Sequence, residues 1–122
     1  MHILIVDDSK FMRRTIIKAL DQIGSFTVVH AANGKEALAN LDQGPFDLVM
    51  SDWNMPVMNG LEFVTQLRRQ NDVPILMLTT VSAREDVTAA LHAGVDNYIL
   101  KPLRTEELRA KLNTLFPDKY PG

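Results

Sequence analysis

The chain contains no cysteine among its 122 residues. Disulfide bridges, thiolate metal ligands and cysteine nucleophiles are therefore excluded. No apolar run approaches the ~20 residues that a membrane-spanning helix needs. The first residues, Met1 to Leu4, carry neither the basic segment nor the long apolar segment of a secretory signal. These absences predict a cytoplasmic protein that does not act at a membrane.

The sequence also lacks an excess of charge of either sign. Thirteen Lys and Arg residues stand against fifteen Asp and Glu residues, for a net charge of -2. This balance excludes a polycation that coats nucleic acid through charge alone, and we expect no direct nucleic-acid partner. The content of 46% hydrophobic and 23% charged residues is typical of a soluble globular domain. We expect one domain over residues 1–122, with a frayed tail at 117–122 and no attached effector domain.

Short apolar segments alternate along the chain with segments of helical period. The predicted strands lie at 3–6, 26–29, 48–50, 74–78 and 98–100, and their nearly continuous apolar character is typical of strands covered on both faces. Apolar residues spaced three and four apart predict a helix after each strand, the last with Thr105 as its N-cap. This alternation predicts an α/β fold in which a parallel sheet carries helices on both faces.

Polar residues follow four of the five predicted strands. Asp7 and Asp8 come after the first strand, Asp52 after the third, Thr79 after the fourth and Lys101 after the fifth. In an open parallel sheet, ligands bind beyond the carboxyl ends of the strands. Taken singly, each residue has an ordinary interpretation as a turn, strand-end or loop residue. Their coincidence at one edge of the sheet favours a functional site.

The chemistry of this set is specific. Crowded carboxylates repel one another unless a cation lies among them, and oxygen ligands favour a hard divalent ion, Mg²⁺ above all. A carboxylate can accept a phosphoryl group as a nucleophile, while a metal ion neutralises the charge of that group. Thr79 could donate a hydrogen bond to a phosphoryl oxygen, and Lys101 could pair with it. The residues therefore predict phosphoryl chemistry at a magnesium site.

The pattern resembles the receiver domain of two-component response regulators, over Met1 to about Phe116. The stretches Val6–Ser9 and Met12–Arg14 carry the likeness, together with Ser51–Gly60, which is especially similar to the single-domain, CheY-like (chemotaxis-type) members. The resemblance implies a flavodoxin-like, doubly wound sheet of five strands in the order 2-1-3-4-5, with five helices. That order comes from the family and not from the spacing of the segments.

The resemblance also implies how the site is built. Asp52 would be the phosphoacceptor, and Mg²⁺ would be held by Asp7, Asp8, Asp52 and the backbone carbonyl of Asn54. Lys101 would pair with the phosphoryl group, and the peptide bond that joins it to the following proline would be cis. The protein would catalyse its own phosphorylation and dephosphorylation without being an enzyme in any wider sense.

A switch and an output surface are implied as well. Thr79 and Tyr98 would be the switch residues that move when Asp52 is phosphorylated, and they would reshape a surface made by the fourth helix, the fifth strand and the fifth helix. The residues of that partner surface would be Val87, Leu91, Tyr98, Ile99 and Leu100. Asn54 and Val81 would modulate dephosphorylation, and Val81 departs from the acidic residue that is frequent at its position.

The implied function is that of a stand-alone response regulator in a two-component phosphorelay. It would take a phosphoryl group from a histidine kinase and bind a downstream target, such as a flagellar motor switch or a phosphatase, in chemotaxis signalling. One alternative is a Mg²⁺-dependent phosphohydrolase with an aspartyl nucleophile, although such enzymes of the haloacid-dehalogenase type carry Asp-x-Asp where this chain has adjacent Asp7 and Asp8. Another is a flavodoxin-like electron carrier, whose hydroxyl- and Gly-rich phosphate loop this sequence lacks.

Overall fold

The strands of this protein form a parallel sheet in the order β2-β1-β3-β4-β5. The structure, a computed structural model, describes residues 1–80 and 84–119, and for residues 84–86 it describes the backbone alone. The strands in the described ranges are β1 (His2–Val6), β2 (Thr27–Ala31), β3 (Leu48–Asp52), β4 (Ile75–Thr79) and β5 (Asn97–Leu100). The predicted α/β fold and its strand order are confirmed.

A helix follows each strand. The helices of the described residues are α1 (Lys10–Ile23), α2 (Gly34–Ala39), α3 (Gly60–Arg68), α4 (Arg84–Ala93) and α5 (Thr105–Leu115), with a 3₁₀ turn at Asn40–Gln43 after α2. Side chains define several helix starts: the Oγ of Ser9 accepts from the N–H of Met12, and Asn59 forms a reciprocal capping box with Glu62.

The strand ends differ by one or two residues from the sequence prediction, and two boundaries show the physical reason. Thr105 is the first helical residue of α5 and not its N-cap, because its hydroxyl donates across to the Oε1 of Gln22, at 2.9 Å, and is not used to cap the helix. The second strand extends to Ala31, two residues beyond the predicted end, because Ala31 pairs with Val6 of β1. Tertiary contacts decide both boundaries, as is usual at element ends.

Each face of the sheet buries its own apolar layer. Alternate strand residues point to opposite faces, so that Leu4 and Val6 join the layer under α2, α3 and α4, whereas Ile3 and Ile5 join the layer under α1 and α5. Every residue of β3 and β4 is buried. The central strands are therefore a rigid base for the residues at their ends. Within the described ranges, no helix combines the length and apolar character needed to cross a bilayer.

Arg68, the last residue of α3, ties together the loops at the amino edge of the sheet. Its guanidinium donates to the carbonyl oxygens of Gly94 (3.0 and 2.8 Å) and Val73 (2.7 Å) and pairs with Asp96 at 3.0 Å. Asp96 in turn accepts from the N–H of Ile75 at 2.8 Å. These contacts fix the entries to β4 and β5 and thereby the positions at which the two strands end on the opposite edge.

Candidate functional site

The predicted site residues meet at the carboxyl edge of the sheet. Asp7 directly follows β1, Asp52 and Thr79 are the last residues of β3 and β4, and Lys101 directly follows β5. The strand register aligns these ends, since Asp52 pairs with Leu78, and the N–H of Lys101 donates to the carbonyl oxygen of Thr79 at 2.8 Å. Four neighbouring strands thus deliver an acidic pair, a hydroxyl and an ammonium group to one place.

Three carboxylates form the centre of the site. One oxygen atom from each of Asp7, Asp8 and Asp52 lies within 4.8 Å of the others. Asp7 is 1% exposed and Asp52 is 7% exposed, whereas Asp8 is exposed. The Oδ1 of Asp7 accepts from the N–H of Ser9 at 2.9 Å, so the loop that starts α1 also orients this carboxylate. Its Oδ2 is buried and accepts no hydrogen bond.

Lys101 balances part of this negative charge. Its Nζ lies 3.2 Å from the Oδ1 of Asp52 and 3.5 Å from the Oδ2 of Asp7. Burial raises the pKa of the Asp52 carboxyl above its ordinary value, the Lys101 ammonium lowers it in part, and the neighbouring Asp7 charge raises it again. One ammonium shared between buried carboxylates leaves the cluster with net negative charge.

The cluster fits a hard divalent cation. Its donors are carboxylate oxygens, which are the ligands that Mg²⁺ prefers. The buried Oδ2 of Asp7 lacks a hydrogen-bond donor, and a metal ion beside it would satisfy an atom that is otherwise costly to bury. Asn54, whose backbone carbonyl was expected to complete the site, lies in the exposed loop that follows Asp52. A bound cation would both reduce the repulsion among the three carboxylates and give the buried Oδ2 of Asp7 a partner.

Of the two expected switch residues, Thr79 ends β4 at the edge of the sheet that carries the carboxylates, whereas Tyr98 lies within β5. Thr79 is buried, with 5% of its surface exposed, and lies next to Leu100 in the sheet. The peptide bond between Lys101 and Pro102 is cis, as the resemblance implied. Tyr98 is half-buried against the apolar layer on the α4 side, and the Nζ of Lys111 stands 5.4 Å from the centre of its ring.

The expected partner surface needs one correction. Leu91 and Leu100 are 46% and 39% exposed, and Val87 is half-buried. Ile99, however, is fully buried, and the expectation that it contributes to the surface is wrong. The alternation of β5 directs Ile99 into the layer beneath α1 and α5, while its neighbour Tyr98 faces the other side. Val81, one of the two expected modulators of dephosphorylation, lies outside the described residues.

Sequence reasoning missed the contribution of Arg13. Its Nη1 donates to the carbonyl oxygen of Asp7 at 2.6 Å, so this residue of α1 fixes the main chain of an acidic site residue. The signal available was its place one turn after the Ser9 cap, where a long side chain can reach back to the preceding loop. The sequence alone does not distinguish such an arginine from a solvated one, because solvated arginines are common on helices.

Gly60 was likewise not expected to matter for the site. A Cβ atom at this position would lie 2.8 Å from both the Cα and the carbonyl oxygen of Trp53, the residue after Asp52. The Gly60 N–H donates to that same oxygen at 2.7 Å. The start of α3 is therefore in direct contact with the backbone that carries Asp52.

Comparison with known proteins agrees with this geometry. The sequence profile of the response regulator receiver domain matches residues 3–113. Chemotaxis protein CheY1 of Helicobacter pylori is 42% identical over 119 residues, which cover 94% of this chain and 96% of that protein. A CheY homologue of Campylobacter jejuni is 43% identical over 116 residues, or 92% of this chain and 89% of that protein. Among solved structures, the chemotaxis protein CheY4 of Vibrio cholerae superposes with a TM-score of 0.87 at 38% identity, covering 94% of this chain and 98% of its own.

Proposed function

The chain belongs to the response regulator receiver domain family and is of the CheY type, and on that premise we propose that it is a phosphorylation-driven switch in two-component chemotaxis signalling. Response regulators of this type are signalling proteins and not classical enzymes. The observation that carries the proposal is the position of Asp52. Its buried Oδ1 lies 3.2 Å from the Nζ of Lys101, and two further carboxylates lie beside it.

We assign Asp52 as the phosphoacceptor. Asp7 is more deeply buried, and its Oδ1 already accepts from the N–H of Ser9. On Asp52, the contacts to Trp53 and Lys101 both involve Oδ1, which supports Oδ2 as the attacking atom. That oxygen would form a bond to phosphorus while the bond from phosphorus to the imidazole nitrogen of a phosphohistidine breaks. The imidazole leaves with the electron pair and takes up a proton, and Asp52 becomes an acyl phosphate.

Asp7, Asp8, Asp52 and the backbone carbonyl of Asn54 would hold Mg²⁺. When bound, the ion offsets the charge that carboxylates and phosphoryl oxygens bring together. The donor set supports this assignment, since oxygens of three carboxylates lie within 4.8 Å of one another. Lys101 would pair with a phosphoryl oxygen in place of its present contact with Asp52, and Arg13 would keep the Asp7 main chain in position through its 2.6 Å hydrogen bond.

Thr79 and Tyr98 would convert the new charge into a change of surface. The phosphoryl group carries about 1.5 to 2 negative charges beside the end of β4, in place of the single charge of the Asp52 carboxylate, and the Thr79 hydroxyl would move to donate to a phosphoryl oxygen. The N–H of Lys101 is bonded to the Thr79 carbonyl, so both strand ends would shift together. Tyr98, half-buried on β5, would turn inward as space opens beside it. The result is a shift between two populations.

The output surface would consist of the exposed and half-buried residues of α4 and β5, namely Val87, Leu91, Tyr98 and Leu100. Its target would be another protein, either a flagellar motor switch or a phosphatase, and the phosphodonor would be a histidine kinase. We propose no direct contact with nucleic acid or membrane, and a cytoplasmic location. Asn54 and Val81 would modulate dephosphorylation from either side of the path of the attacking water.

We further propose that residues 1–122 act as a single receiver domain. The elements run from His2 to Leu115 without an interruption long enough for a second module. The CheY relatives from Helicobacter and Campylobacter are matched over 96% and 89% of their own length, which supports the assignment of these residues to one receiver domain.

Phosphotransfer can be tested directly. The protein is incubated with Mg²⁺ and either acetyl phosphate or a phosphorylated histidine kinase, and the acyl phosphate is counted by intact mass. We expect labelling of one group per chain that requires Mg²⁺ and disappears in Asp52→Asn. Asp72→Asn, which removes an exposed carboxylate elsewhere, is the matched control and should label normally.

Two results would contradict the proposal. Labelling that persists in Asp52→Asn would place the acceptor on another residue. Repeated turnover of a small phosphomonoester, with no accumulated acyl phosphate, would instead favour the phosphohydrolase alternative. The single tryptophan of the chain, Trp53, lies next to Asp52, and its fluorescence is expected to report Mg²⁺ binding independently of phosphorylation.

A further inference from the structure

The side chain of Lys111 reaches from α5 around the free edge of the sheet. The strand order ends with β5, so β5 is an edge strand. Leu108 and Leu112 place α5 on the face of the sheet that Ile99 enters, whereas Tyr98 packs against the apolar layer on the other face. The Nζ of Lys111 nevertheless lies 5.4 Å from the centre of the Tyr98 ring. A helix on one face therefore contacts a side chain of the other face across the edge.

A hydrogen bond fixes the position of this ammonium group. The Nζ of Lys111 donates to the Oδ1 of Asn97 at 3.0 Å. The same oxygen accepts from the backbone N–H of Tyr98 at 2.9 Å, so the side chain of Asn97 covers a main-chain donor of the edge strand. Asn97, Tyr98 and Lys111 thus form one connected group at the edge of the sheet.

The aromatic ring takes the place of an acidic partner for Lys111. The side chain is half-buried, and among residues 1–80 and 84–119 it forms no ion pair. Within the same ranges, the partners of its ammonium are the Asn97 oxygen and the Tyr98 ring. A cation above an aromatic face is attracted by the quadrupole of the ring, and the attraction grows as water is excluded. The ring is therefore an electrostatic partner of Lys111.

This attraction depends on the orientation of the ring. The distance of 5.4 Å is close to the limit of about 6 Å for such a contact, so a rotation of the ring about χ1 of Tyr98 would break it. The hydrogen bond to Asn97 keeps the ammonium at the edge of the sheet and prevents it from following the ring. The contact therefore stabilises the present orientation of Tyr98 and no other.

We propose that Lys111 is a positioning residue that holds the ring of Tyr98 in its present orientation and thereby opposes the switch in the unphosphorylated protein. This inference rests on the proposed role of Tyr98 as a switch residue. A cation above an aromatic ring at a partly exposed site shifts an equilibrium about three- to fivefold, or about 0.7 to 1 kcal/mol at about 1.4 kcal/mol per factor of ten. Loss of the ammonium should raise the ratio of turned to present ring orientations by this factor.

The χ1 populations of Tyr98 provide the test. They are measured by NMR from three-bond couplings to the Cγ of Tyr98 in the metal-free, unphosphorylated protein, with the resonance assigned by its loss in Tyr98→Phe. Lys111→Met keeps a long side chain without the charge and should show the three- to fivefold change. Lys111→Arg keeps a cation that can lie over the ring and should retain the wild-type populations. Lys119→Met removes an exposed lysine outside the group and is the matched control.

Two results would overturn the inference: wild-type populations in Lys111→Met, or a change in Lys111→Arg as large as that in Lys111→Met, which would assign the effect to side-chain shape and not to charge. Both variants should remain folded, because Lys111 is half-buried on a helix and Met and Arg are good helix formers. Beryllofluoride with Mg²⁺, a mimic of the phosphoryl group, tests the proposed function separately. A wild-type Tyr98 that does not respond to it would contradict the switch role, whereas the metal-free comparison decides whether Lys111 holds the ring.

Discussion

Replacing Lys101 by methionine tests whether the ammonium group holds the carboxylate cluster together. The substitution keeps an unbranched side chain of similar length and removes the charge. In the metal-free protein it leaves Asp7 and Asp52, which are 1% and 7% exposed, without the cation that lies 3.5 and 3.2 Å from them. We expect a large loss of stability at neutral pH.

The geometry sets the size of the effect. At an effective dielectric constant of about 20, each of the two ion pairs contributes about 5 kcal/mol of gross attraction. Most of this offsets the desolvation of the charges, and removal of one partner of a buried pair costs about 3 to 5 kcal/mol. Because 18% of the Lys101 side chain is exposed, we expect a cost at the lower end of this range. We therefore expect a decrease of about 3 kcal/mol in the free energy of unfolding.

The loss of stability should be larger at neutral pH than in acid. Without Lys101, burial and the Asp7 charge still raise the pKa of Asp52, and the opposing contribution is gone. The folded variant then binds more protons than the unfolded chain between the ordinary pKa of 3.8 and the raised value. Its stability must therefore fall as the pH rises through that window. The deficit relative to wild type should be small in acid and fully developed at neutral pH.

Urea denaturation of the metal-free proteins at several pH values provides the measurement. Lys35→Met, which removes an exposed lysine of α2, is the control and should change stability by less than about 0.5 kcal/mol. Adding Asp52→Asn to Lys101→Met should recover part of the loss, because one unpaired carboxylate is removed. A Lys101→Met variant within about 1 kcal/mol of wild type at neutral pH, or one whose deficit is independent of pH, would refute the reasoning.

Two further predictions concern the surroundings of Asp52. Gly60→Ala places a Cβ 2.8 Å from Trp53 backbone atoms that cannot rotate away. The free energy of unfolding should therefore decrease by about 2 kcal/mol, and the fluorescence of Trp53 should change. Gly24→Ala, whose added Cβ would have its nearest contact at an ordinary 3.6 Å, should show neither change. Val81→Glu introduces a group that can orient water, so the acyl phosphate of this variant should decay faster than that of wild type; an unchanged lifetime would argue against a role for position 81.

The strand ends show how far the sequence alone predicts the site. Each strand of a parallel sheet runs in the same direction, so a residue placed after a strand must lie at the carboxyl edge whichever neighbours that strand has. This rule predicts Asp7, Asp52, Thr79 and Lys101 at one edge, and the structure places them there. Their chemical roles remain predictions, since position alone does not establish phosphotransfer.

Features that depend on packing across the sheet could not be predicted in the same way. The burial of Ile99 follows from the register and direction of β5, and a shift of one residue would turn it to the side of the half-buried Tyr98 and the exposed Leu100. Val57 adopts a positive φ of 69° although it is a β-branched residue, and it is 74% exposed. Nothing in the local sequence signals this conformation, because β-branched residues rarely adopt it.

The sequence by itself determined the alternation of strands and helices and the type of chemistry at the strand ends, because periodicity and residue type are local properties. The tertiary structure decided the distances that make this chemistry possible: Lys101 shared between two buried carboxylates, and Arg13 bonded to the Asp7 main chain. Burial and charge interaction depend on atoms that are distant along the chain. They exist only once the sheet has brought those atoms together.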